Sequence, residues 1–135
     1  MGRTAANKTL GKAILGAFIA ALVIKFFFLD IMIAEGHSMV PVIKPGAILL
    51  VCKVYYGMKL PGSGAYLARW AMPKAGDVVV FYTPLGEIAV KRCGEILEGN
   101  EFFALGDNGP LSYDSRNYGP VPFNHIIGKV LGIKK

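Results

Sequence analysis

With 135 residues, 53% of them hydrophobic, and a formal net charge of +6, the chain has room for one domain and one membrane segment but not for two domains. Its 15 basic residues are scattered, without a Lys/Arg-rich cluster or an aromatic stacking motif, which argues against a nucleic-acid partner and for contact with acidic lipid headgroups. Two cysteines, Cys52 and Cys93, form no C-x-x-C and no metal-ligand spacing; buried thiols and a disulfide both stay open, and no metal or cofactor is expected.

Residues 1–12 are polar, with Arg3, Lys8 and Lys12 and no acid. Residues 13–34 are apolar apart from Lys25 and Asp30. At about 1.5 Å per residue such a run spans roughly 30 Å, the thickness of bilayer hydrocarbon. The positive flank precedes it, which predicts a cytoplasmic tail over 1–12, an anchor over 13–34 and an extracytoplasmic domain over 35–135. The run is longer than a cleavable signal's apolar region, and no small-x-small site follows, so the anchor is expected to stay attached. Lys25 lies deep in this run, either snorkelling or marking a tilted or partnered helix.

Beyond the anchor the pattern is that of short strands. Residues 47–55, 77–82, 87–93, 101–105 and 126–133 are rich in apolar and β-branched residues, and Gly, Pro, Asn or Asp clusters separate them. Between the first two lies a Gly/Pro-rich stretch carrying Tyr55, Tyr56, Tyr66 and Trp70. It reads equally as an interfacial aromatic belt on lipid headgroups or as a partly buried hairpin. No helical period appears after the anchor, so the expected fold is mainly β: one transmembrane helix and a compact β-rich domain.

Two positions stand out for chemistry. Ser38, in Glu35-Gly36-His37-Ser38-Met39-Val40-Pro41, follows directly on the anchor. Lys91 shares a strand face with Ala89 and Cys93, small neighbours that would let its amine lie against apolar surface. Burial disfavours the ammonium and makes the amine a better base. A nucleophilic serine needs such a base within hydrogen-bond reach. The rival base is His125, with Asp107 or Asp114 to orient it. The polar loop 106–122 also carries Ser112 and Arg116; Asp114 and Arg116 are placed to pair there.

Four blocks in order, EGHSMVP at 35–41, GDVVVF at 76–81, VKR at 90–92 and GDNGPLSYDSRNYGPVP at 106–122, carry a family resemblance. The chain resembles the bacterial-type type I signal (leader) peptidases, membrane-bound Ser/Lys endopeptidases. By that resemblance Ser38 is the nucleophile, Lys91 the general base, and Ser112 the serine that orients the lysine. Asp114 and Arg116 form a structural ion pair, and Asp107 belongs to the same support. Ala34, Met39, Ile43, Val80 and Val90 fall where the family's small substrate pockets are lined. The resemblance implies signal-peptide-bearing preproteins as substrates, cleaved after a small-x-small motif, a lipid bilayer as host and the secretion translocon as a neighbour. Gly36 replaces the Ser or Thr that donates to the oxyanion in some relatives, and the chain lacks room for their large inserted β-domain. Two other readings are a non-catalytic membrane-anchored β-domain that binds extended peptides or partner proteins, and a cytoplasmic self-cleaving Ser/Lys repressor; the apolar run opposes the second.

Overall fold

The structure, a computed structural model, describes residues 2–135. A long helix, α1 (Gly2–Phe27), leads into β1 (Leu29–Ile33), the edge of an antiparallel sheet. Within α1, Thr4–Phe27 is long and apolar enough to cross a membrane, with a mean hydropathy of 2.0. The apolar run expected as one anchor over 13–34 is therefore divided. Its last residues form β1, which pairs along its whole length with β2 (Ile48–Cys52). Asp30 helps to end the helical stretch, because its carboxylate accepts the neighbouring Ile31 N–H at 2.9 Å, a local bond that competes with helix. Ile31 and Ile33 are β-branched and favour the extended form. The division moves Lys25 from the interior of the apolar run to two residues from the end of α1.

Seven strands follow the order β1, β2, β9, β5, β6, β7, β8, with β5 (Val78–Tyr82), β6 (Ile88–Leu97), β7 (Glu101–Leu105), β8 (Val121–Pro122) and β9 (Ile126–Lys134). Each expected strand is present within a few residues. The Gly/Pro-rich stretch is the hairpin of β3 (Gly57–Lys59) and β4 (Tyr66–Arg69). Tyr56 is not part of a lipid belt: it is buried, and its hydroxyl donates to Asp77 at 2.8 Å. Tyr55 and Trp70 are exposed. A short helix, α2 (Ser115–Tyr118), interrupts the polar loop where no helix was expected.

β5 sits at the centre of the sheet, and its two faces serve two cores. Val79 and Phe81 pack with Cys93, Phe102 and Phe123, whereas Val80 packs with Leu49, Val51 and Met39. Burial on both faces is why β5 reads as an unbroken apolar run rather than an alternating one. Cys52 and Cys93 are free thiols, on strands separated by β9 and β5. β7 pairs with β6 only from Arg92 onward. Residues 88–91 thus have β5 on one side and, among the described residues, no strand on the other.

Candidate functional site

The segment after β1 turns on Gly36, whose φ of +76° suits a residue without a side chain. Met39 and Ile43 then drop into the core beside Ala34, so Ser38 is held on its rim. The loop after β7 fastens it from above. Asn108 N–H donates to the Ser38 carbonyl at 2.8 Å, and Asn108 Nδ2 donates to the His37 carbonyl at 3.0 Å. Two bonds on successive carbonyls restrain the backbone that carries the hydroxyl.

Lys91 lies opposite Val79 in the β5–β6 ladder and is only 6% exposed. Its Nζ is 2.6 Å from Ser38 Oγ. Burial lowers the lysine's pKa, and the negative charge of Asp114 partly opposes that shift. An amine is thus brought toward its neutral form while touching a hydroxyl.

Asp114 is fully buried and caps α2. Its carboxylate accepts from Gly106 N–H at 2.8 Å and Ser112 Oγ at 2.6 Å, and from Arg116 through Nε at 2.9 Å and Nη2 at 2.6 Å. Burial pushes this carboxyl up, but the Arg116 guanidinium, Ser112 and the backbone donors together hold it well below the usual range. Ser112 therefore directs its hydroxyl to Asp114, and it makes no hydrogen bond to Lys91, the partner expected for it. Asp107 forms a two-point pair with Arg92, Nε to Oδ1 and Nη2 to Oδ2, both at 2.8 Å.

Reading the sequence missed three of these residues. Asn108 holds the Ser38 segment, Arg92 ties Asp107 to the strand that carries Lys91, and Gly106 lets the two serines approach. A Cβ on Gly106 would fall 2.0 Å from Ser112 Oγ and 2.7 Å from the Ser38 carbonyl. The tripeptide 106–108 thus reaches Asp114, β6 and the Ser38 segment at once. The sequence signal for this was its place at the head of the block GDNGPLSYDSRNYGPVP, which carried the resemblance but gave Gly106 and Asn108 no role.

A groove of about 480 Å³ opens beside Ser38 and Lys91. Ala34, Met39, Ile43 and Val90 line it, together with Met32, Ile33, Glu35, Gly36, Ile88 and Ala89. Val80, expected in this lining, is not there. It is 0% exposed and its side chain is enclosed by the second core beneath Val90, its ladder partner. His125 points elsewhere, with Nδ1 2.9 Å from the Tyr82 carbonyl. Asp107 and Asp114 are committed to arginines, so no Ser–His–Asp arrangement forms among the described residues.

Comparison with known proteins gives the family of the chain. The chain is 36% identical over 66 residues to signal peptidase I of Buchnera aphidicola subsp. Baizongia pistaciae, covering 49% of this chain and 21% of that one. It is 34% identical over 71 residues to signal peptidase I of the subspecies Schizaphis graminum, covering 53% and 22%. To a probable signal peptidase I-1 of Synechocystis it is 25% identical over 160 aligned positions, covering 85% of this chain and 76% of the relative. The chain thus spans about a fifth of the length of the Buchnera relatives and most of the Synechocystis one. Residues 7–96 and 89–133 match the family described as signal peptidase, peptidase S26, and the chain belongs to that family.

Proposed function

We propose that the protein is a membrane-anchored serine endopeptidase that removes signal peptides from preproteins after a small-x-small motif. The observation that carries this reading is the 2.6 Å contact between the Lys91 amine and the Ser38 hydroxyl, made by a lysine that is almost wholly buried. Neutral Lys91 takes the Ser38 proton as Oγ bonds to the scissile carbonyl carbon. The resulting ammonium gives that proton to the leaving amine, and the C–N bond breaks. Water, deprotonated by the same amine, then hydrolyses the ester and returns Ser38. The Ser38 N–H, which donates to no protein acceptor among the described residues, is available to the oxyanion.

An extended substrate fits along the unpaired side of residues 88–91, held by main-chain bonds while alternate side chains enter the groove. Ala34, Met39, Ile43 and Val90 give the groove an apolar wall suited to small side chains such as alanine. α1 spans the bilayer once, with its N-terminus cytoplasmic and the groove on the outer side, where preproteins emerge from the translocon. Asp107, Asp114, Arg116 and Ser112 support the site, Ser112 through Asp114.

The test is cleavage of a preprotein by the purified full chain in detergent, with product masses read directly. Cleavage after Ala-x-Ala is expected, together with its loss when either alanine becomes phenylalanine and its retention within about twofold in His125→Ala, since remote changes have small effects. Cutting at unrelated positions, or a dead His125→Ala that still folds, would overturn the reading.

Asn108→Ala removes only the bond to the His37 carbonyl, because the Asn108 N–H remains. Loss of one of two restraints on the nucleophile is expected to lower kcat roughly tenfold with little change in KM, a misplacement effect. Equal losses in binding and turnover would contradict it.

A further inference from the structure

The junction between α1 and the sheet is a single residue. α1 ends at Phe27, Phe28 follows, and β1 starts at Leu29. Lys53, directly after β2, closes on this junction. Its backbone N–H donates to the Phe28 carbonyl at 2.8 Å. Its Nζ donates to the Phe26 carbonyl in the last turn of α1 and stands 5.7 Å from the centre of the Phe26 ring. Asp30 Oδ2 is 3.9 Å from the same amine. One residue therefore takes a terminal carbonyl of the helix, where a cation is favoured, an aromatic ring and the backbone of the hinge residue.

β1 runs from that junction to the groove as a fully paired strand, and its last residues, Met32 and Ile33, join the groove lining. Along β1 the groove lies one strand from the helix end, five residues or about 17 Å at roughly 3.4 Å each.

We propose that Lys53 is a positioning residue that locks the sheet to the anchor and so fixes the distance from the bilayer at which a chain is cut. The inference rests on the peptidase reading. It concerns depth, not chemistry: Lys53 is outside the groove, so only substrates held by the membrane feel it.

The experiment uses the full chain in phosphatidylcholine–phosphatidylglycerol vesicles. The substrates are a series of preproteins whose spacer between apolar segment and Ala-x-Ala grows from about three to ten residues, bracketing one strand length. The wild type is expected to show a peak at one spacer length, falling roughly tenfold two residues to either side, as misplacement does. Lys53→Met, which keeps the apolar stem, should flatten the profile to within about threefold, and Lys53→Arg should restore the peak, because only the cationic donor is at issue. A short soluble peptide with the same motif should be cut by all three within about twofold, as for changes remote from a site. An unchanged peak in Lys53→Met, a flat wild-type profile, or a parallel loss on the soluble peptide would each overturn the inference. If the wild type cuts neither preprotein nor peptide, the peptidase reading itself fails.

Discussion

Ser38→Ala and Lys91→Met are each expected to lose about ten-thousandfold in kcat, the scale seen when a member of a catalytic unit is removed, and Lys91→Met is expected to be the more stable protein. The two effects share one cause. Lys91 is 6% exposed, and burial works against its ammonium. Folding thus favours the neutral amine, and the folded pKa lies below the unfolded one. Below the folded pKa both states hold the proton, and the native state bears the full penalty of a buried cation. As pH rises from the folded value toward the ordinary lysine value, the unfolded chain binds more protons than the native one, so stability climbs. A tenfold change in that ionisation is worth about 1.4 kcal/mol. Methionine has a similar stem and no charge to bury, so its gain in Tm should be largest below the folded pKa of Lys91 and should shrink as pH rises toward the ordinary lysine value. The wild-type kcat/KM should rise with pH up to the pKa of Lys91 and then level. Thermal unfolding and rate profiles over the same pH series check both halves. A Lys91→Met enzyme that keeps more than about a tenth of the wild-type rate would remove this amine from proton transfer, since general-base losses are larger than that.

The sequence made Ser38 and Lys91 stand out for different reasons. Ser38 stood out by its place after an apolar run and Lys91 by its small neighbours in a strand, but their contact spans 53 positions and only the shared motif order joined them in advance. The anchor's end was not legible. Ile31 and Ile33 lie on β1 with side chains 66% and 68% exposed, so a sheet edge leaving the membrane has the composition of a lipid-facing helix. Hydropathy alone cannot separate the two; the pairing with β2 decides. Val80 shows a similar limit. In a central strand with both faces covered, alternation vanishes, and nothing in the valine run says which side chain faces a groove. Asp107 was named as a support through the family resemblance, but what it and its neighbours hold was hidden for a third reason. Gly106, Asp107 and Asn108 look like turn chemistry, and their partners Asp114, Arg92 and Ser38 come from three different elements.

Asp114→Ala is expected to destabilise the fold by on the order of 3 kcal/mol, because it strands several donors at once. Gly106 N–H and Ser112 Oγ lose their acceptor, and α2 loses its cap. A donor left unsatisfied in the interior costs about 1–3 kcal/mol and a lost cap about 1. The carboxyl is held well below its ordinary range despite burial, so its stabilising contribution is complete above the unfolded carboxylate pKa of about 4. That contribution is lost as pH falls through the folded value. Urea unfolding should show a difference between wild type and variant that is flat above about pH 5, one unit past that pKa, and that narrows in acid. Asp114→Asn separates this role from the electrostatic one. It keeps the shape of the side chain and removes the charge that supports the Lys91 ammonium, so the rising limb of the pH–rate profile should move to lower pH. Movement to higher pH would mean that the carboxylate does not act on the lysine through its charge.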